Sequence, residues 1–442
     1  MRLEFEWHEA PGVRDKVLAA TWARLCLSVG DLCASEAIDR RSESRRTGIY
    51  GSLFPLVEWM IEHWWHLLHE PSPRSPVPGG RAAPSLMRGW VQRHNLLAAR
   101  DGGSLPDLTI TRDGDVVFVQ WEADPISQTP MRIRFVGQGK AREDAAEFER
   151  SLVSFIDSVL VRLGERLQNN EDVERAVEAW SAIRSADSAE VNLCRSLAVM
   201  GVDPYDPDEA TDAIIGIVQR AIRALDGELR ADFFEGSDPQ HLEYNLNWVE
   251  QAATSLRSTI GDAEFPTIGP VIAPTAHDTG HLAARRVRSE LLGLAPDAPV
   301  PDLVAVLVDR LGWAPGCSRA VHGQAHLDGI IGLDAASSAP LLLIADERSE
   351  RAHRFRLARA AFFPVTRSLG SSARLLTRAV THPQRAARAF AAELLAPKAA
   401  LAGRVSGSLN DQDVEHLATD FLVSPLVIRH QVENHDLAYL ET

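Results

Sequence analysis

The sequence predicts an α+β protein, mainly helical: an N-terminal α/β region with a β-hairpin over 1–165, a helical middle region over 166–270 and a C-terminal α/β domain over 275–442. Three observations lead there. A chain of 442 residues is too long for one ordinary core. Apolar residues recur at helical spacing along most of it, against one strong hairpin signal at 107–121. Passages rich in Pro and Gly, at 71–84 and 265–275, divide it.

Residues 1 to about 70 read as helices, with LFPLVEWMIEHWWHLLHE (53–70) the clearest stretch and Pro55 suited to a first turn. PSPRSPVPGGRAAP (71–84) reads as a loop. In DLTITRDGDVVFVQW (107–121) two alternating runs meet at Asp113-Gly114, and MRIRFVG (131–137) reads as a third strand. From Ala141 to Gly164 the pattern is helical, with Phe148, Leu152, Phe155, Ile156, Val159 and Leu163 on one side. Helices continue through 170–260, broken at 201–210, where Asp208 suits a cap for the next helix. Beyond 275, residues 281–312 read as helix, loop, helix, and 329–346 as two strands. Helices follow over 354–363 and 385–401, and a helix pair over 413–435.

Hydrophobic content of 45% and charged content of 24% are those of a soluble globular protein. No apolar run approaches the ~20 residues that span a bilayer, so no membrane partner is expected. Four scattered cysteines without a CxxC pair, and no visible targeting segment, point to reduced thiols in a cytoplasm. The net charge of −15 argues against a protein that coats nucleic acid with its whole surface. Between Arg351 and Val405, however, ten arginines and one lysine face a single acid, Glu393. That stretch carries +10 and leaves −25 on the remainder.

Three phrases stand out in the last 170 residues: Arg354-Phe355-x-Leu357-Ala358, Phe390-Ala391-Ala392-Glu393-Leu394-Leu395-Ala396-Pro397, and Val423-Ser424-Pro425. Their order and wording resemble the ImmA/IrrE family of bacterial zinc metallopeptidases over roughly 275–440. The resemblance implies a zincin-like fold there and says nothing of the first 270 residues. In that family the first phrase continues into an HExxH helix, whose two His share a face on zinc while the Glu acts as general base. This chain places Arg359, Ala360 and Phe363 at those positions, and Gln384 and Ala386 where the family has glutamates. A guanidinium cannot ligate zinc, Ala cannot take a proton and Phe has no donor atom, so no peptidase chemistry, metal or other cofactor is expected at this helix. Pro364 also disfavours helical geometry at Phe363.

Other sets compete. His277-Asp278-Thr279-Gly280-His281 imitates HExxH, with His277, Asp278 and His281 as alternative metal ligands; capping or structure is the simpler role, because Gly280 weakens the helix between the ligands. His322 and His326 stand four apart in a glycine-bracketed loop. His63, His66 and His69, interleaved with Trp59, Trp64 and Trp65, suit an aromatic packing face. Pro106-Asp107 and Gln120-Trp121-Glu122 echo a PD-(D/E)xK nuclease hairpin without its lysine. Residues 413–432 have helix–turn–helix cadence, with Ser424 as cap, but offer only Arg429, His430 and Gln431 to read bases.

The expected function is a catalytically inactive, metallopeptidase-like regulator or sensor. The family resemblance places it in bacterial stress response, mobile-element control or phage defence. It would dock a protein partner, a nucleotide or a nucleic-acid segment through Arg354, Arg356, Arg359, Arg385 and Arg388, since guanidinium groups suit phosphate and carboxylate. The alternatives are a metal-dependent hydrolase or nuclease seated in the N-terminal half, and a DNA-binding transcriptional regulator.

Overall fold

The computed structural model describes residues 1–441 apart from 11, 74–83, 101–102, 126–131, 260–263, 301, 324–325, 346–348 and 371. The chain is mixed α+β, about half helical, with several small, mainly antiparallel sheets, and separates into two units, Met1–Ala210 and Thr211–Thr442. The helices read as a middle region divide between them.

The first unit opens with β1 (Arg2–Trp7), α1 (Lys16–Ala20), β2 (Trp22–Val29), β3 (Leu32–Cys33), β4 (Ala37–Asp39), β5 (Ser44–Arg46) and β6 (Ile49–Ser52). The helical expectation for this stretch is therefore wrong up to Ser52. RLEFEW and WARLCLSV alternate polar with apolar, and exposure in β1 and β2 alternates with them, which is strand periodicity. Helices α2 (Phe54–Glu62) and α3 (Trp64–His69) fill the expected 53–70 segment and break at His63. After them come α4 (Pro84–His94), the hairpin β7 (Asp107–Asp113) and β8 (Val116–Glu122), β9 (Ile133–Phe135), β10 (Gly139–Asp144), α5 (Ala145–Arg166), α6 (Glu171–Ser185) and α7 (Ser188–Val199). Positions 74–83 of the expected loop lie outside the described residues.

Two strand assignments need correction. The strand expected within 131–137 is β9, which pairs with β4; β10, at the start of the segment expected to be helical from Ala141, pairs with the hairpin strand β8. Helix α5 accordingly starts at Ala145, where the Asp144 side chain accepts from Glu147 N at 2.9 Å. The cap after the 201–210 break is Thr211, not Asp208.

The second unit contains α8 (Asp212–Ala224), α9 (Gly227–Gly236), α10 (Leu242–Ala253), α11 (Ala276–Arg286), α12 (Leu303–Ala305), β11 (Ser318–Ala320), β12 (Gly329–Leu333), β13 (Pro340–Ile344), α13 (Glu350–Val365), β14 (Ala373–Leu376), α14 (His382–Leu395), α15 (Lys398–Ala402), β15 (Ser408–Leu409), α16 (Asp411–Asp420), α17 (Pro425–Asn434) and β16 (Tyr439–Leu440). The expected strands are β12 and β13; β14 was not anticipated and pairs with β12, giving the sheet order β11-β13-β12-β14. Helix α13 runs through Pro364 to Val365, against expectation. The proline falls in the last turn, and the helix ends one residue beyond it, at Val365. Leu357, Phe363 and Phe390 lie in the core of this unit.

Gly280 sets how closely α11 approaches α14. A Cβ built on it would stand 2.2 Å from the Ala386 carbonyl oxygen and 2.8 Å from the Ala389 Cβ. The glycine that weakens the helix in isolation is required by its packing. Gly280→Ala is expected to force the two helices apart and cost about 1–3 kcal/mol, the usual range for overpacking; urea denaturation of both proteins checks this.

Candidate functional site

Helix α13 turns Arg359 into the interior beneath β14. Its guanidinium donates to Asp328 Oδ2 at 2.8 Å, to Gln384 Oε1 at 2.5 Å and to the Thr377 carbonyl. The arginine is only 4% exposed, so its charge requires a partner. Asp328 provides it. Burial pushes the Asp328 carboxyl up, but Arg359, Arg356 and Arg378 together hold it below its ordinary value. Gln384 extends the network, accepting from Thr377 N and donating to the Leu375 carbonyl at 2.7 Å and to Asp232 at 3.1 Å. Asp232 in turn receives Arg374 in a two-point pair at 2.6 and 2.9 Å.

Arg359 and Gln384, singled out separately in the sequence, are thus joined by a hydrogen bond. Ala360, Phe363 and Ala386 are buried in the core and bring no polar side chain. Arg356 lies 3.8 Å from Asp328, and Arg354 donates to the Val300 carbonyl. Arg388 is half-buried and donates to the carbonyls of Thr377 and Ala379. Burial lowers Arg388 to about 9, assisted by Arg359 and Arg385 and opposed by Asp328. Arg385 is half-exposed beside it on α14. Elsewhere in the basic stretch, Arg351 pairs with Glu415 and Arg404 with Asp420.

The alternative ligands separate. His277 and Asp278 are exposed, and Asp278 serves as N-terminal cap partner to Thr275, accepting from its hydroxyl at 2.8 Å. His281, one turn on, is buried, its ring 6.4 Å from that of His277. Its ring lies 4.6 Å from that of His435, and both face Glu393. No spacing rule could reveal this group, because its members come from α11, α14 and the end of α17.

In the first unit, Glu70 accepts two bonds from Arg93, at 2.5 and 2.7 Å, and lies 3.2 Å from His94 Nε2. Burial would raise Glu70, yet His94 and Arg93 hold it near 2, so it is a carboxylate in a closed ion pair. Burial pushes His63 and His66 down to about 4, so both rings are neutral within the aromatic face. Asp107 and Glu122 stand opposite each other across the hairpin, and Asp107 accepts from Asn95 at 2.6 Å. His322 and His326 are exposed, and the His326 ring lies 3.6 Å from that of His241, tilted by 35°. In the terminal helix pair, Val427, Ile428, Gln431 and Val432 are buried, and Arg429 pairs with Asp411. Ser424 precedes α17 without a side-chain cap bond.

No protein-family model, curated protein or solved structure matches the chain.

Removing Arg359 should expose its cost directly. Arg359→Ala leaves Asp328 and Gln384 with unmet bonds, and a loss of about 3–5 kcal/mol is expected from breaking a buried pair on one side. Chemical denaturation of the two proteins measures it.

Proposed function

We propose that the chain is a non-catalytic regulator or sensor with a metallopeptidase-like C-terminal unit of the ImmA/IrrE type. Its setting is a bacterial stress-response, mobile-element or phage-defence system. It acts by docking an anionic ligand, either a nucleotide or the acidic face of a protein partner, beside α13 and α14. The loss of peptidase chemistry is argued from Arg359, whose guanidinium is tied to Asp328 and Gln384 where the family pattern calls for zinc ligands. A cation there repels a metal ion and supplies neither a ligand nor a base.

The docking reading rests on Arg388. Among the described residues its guanidinium bonds to the carbonyls of Thr377 and Ala379, and burial together with its positive neighbours Arg359 and Arg385 holds it at about 9. An anion placed against a half-buried guanidinium relieves that repulsion and forms charge-assisted hydrogen bonds. Arg359 and Arg356 are committed inward to Asp328, so the anion-binding role falls to Arg385 and Arg388 on α14.

Thermal shift with nucleotides, short DNA and a polyglutamate peptide, at low and high salt, tests the reading together with a zinc-supplemented casein digest. Expected are no digestion by either protein and a salt-sensitive rise in melting temperature that is lost in Arg388→Gln. Digestion abolished by Arg359→Ala, or no rise with any anion, contradicts it.

A further inference from the structure

We propose that His281, Glu393 and His435 form a binding site for a divalent cation of the zinc class, which fastens the C-terminal end of α17 to α11 and α14. The site lies apart from Arg359 and does not depend on the docking role proposed above.

The three residues offer two imidazoles and one carboxylate whose ligand atoms all lie within 4.8 Å of one another. His435 Nε2 is 3.5 Å from Glu393 Oε2. Two ligands on one tetrahedral zinc, at bond lengths of about 2.0–2.2 Å, stand roughly 3.3–3.6 Å apart, so the His435 ring and the Glu393 carboxylate lie within reach of one ion; Oε2 carries two hydrogen bonds, and Oε1 is the oxygen that would ligate. The mixed nitrogen and oxygen set favours zinc and its neighbours over calcium or magnesium, which seek oxygen.

The His435 side chain is 8% exposed, and its buried Nε2 makes no hydrogen bond of good geometry; its ion-pair partner Glu393 Oε2 stands at 3.5 Å. A buried ring nitrogen left without a bond carries a desolvation cost that coordination to a metal removes.

The carboxylate is held in place before any metal arrives. Arg285 donates to Glu393 Oε1 at 2.8 Å, while Gln431 and the Lys398 amide donate to Oε2 at 3.0 and 3.1 Å. Each carboxylate oxygen accepts along two lone pairs, so Oε1 retains one for a cation after serving Arg285. Arg285 also offsets the charge of Glu393, so the bound state carries an extra positive charge on that side; its side chain is half-exposed, where water screens it. Gln431, from α17, reaches the Ala396 carbonyl at 2.9 Å as well, and orients the carboxylate in the manner of an outer-shell ligand partner. Three protein ligands leave a fourth position for water.

The test strips the full chain with chelator, reloads it with zinc and counts metal per chain, then substitutes cobalt(II) and records its visible absorption. One equivalent, with a four-coordinate cobalt spectrum, is expected. His435→Ala should lose at least 100-fold in affinity, and Gln431→Ala about 10–100-fold, the usual effect of removing an outer-shell partner. Zinc-edge X-ray absorption on the unmodified protein should report two imidazoles and one carboxylate, and it does not require any variant to fold. Zinc should also raise the melting temperature and slow amide exchange over 425–436. No stoichiometric zinc at micromolar concentration, an absorption spectrum without two imidazoles, or full affinity retained in His435→Ala would overturn the proposal.

Discussion

A guanidinium sealed away from water has to be neutralised and hydrogen-bonded, or the fold around it does not form. Arg359 imposes that requirement on the second unit. Asp328 supplies the charge, Gln384 and the Thr377 carbonyl supply acceptors, and Gln384 passes the constraint to Asp232 and Arg374. Five residues drawn from α9, the turn before β12, α13, β14 and α14 thereby share one polar network inside an apolar core.

That network explains features that otherwise look unrelated. Asp232 accepts the Leu375 amide, and Gln384 donates to the Leu375 carbonyl, so side chains satisfy both backbone groups of that β14 residue. The basic stretch spends Arg374 on the same network and Arg356 and Arg359 on Asp328. Much of its +10 is therefore an internal matter of the fold. Arg367, Arg378, Lys398 and Arg404 are exposed, while Arg385 and Arg388 are half-buried; the docking reading rests on α14 because Arg388 shares the Thr377 carbonyl with Arg359.

Legibility in the sequence followed periodicity. Helices α2, α13 and α14 and the strands β12 and β13 could be read because long apolar runs or tight turns marked them. Strands β1–β6 could not, because β3–β6 have four residues or fewer and the alternation in RLEFEW and WARLCLSV was absorbed into a helical reading of the larger stretch. Of the candidate site, Arg359 and Gln384 drew notice only through the resemblance, and nothing in their own spacing announced that they bond to each other. Asp328 and Asp232 were not, as an acid in a turn or on a helix far away in sequence announces no partner. His281 was noticed for a spacing with His277 that the fold does not use; its neighbours Glu393 and His435 arrive only through the packing of α14 and α17. Gly280 was read correctly as a weak helix former, but its reason is the close passage of α14.

The central claim is that Arg359 is a structural cation coupled to Asp328 within the core. A double-mutant cycle in denaturation free energy, with Arg359→Met, Asp328→Leu and the pair together, tests it most directly. The account predicts that the second change costs much less once the first is present, with a coupling of about 1–3 kcal/mol, in the range found for residues sharing one ion network. Losses that add to within about 0.5 kcal/mol would mean that the two side chains do not depend on each other, and would contradict it.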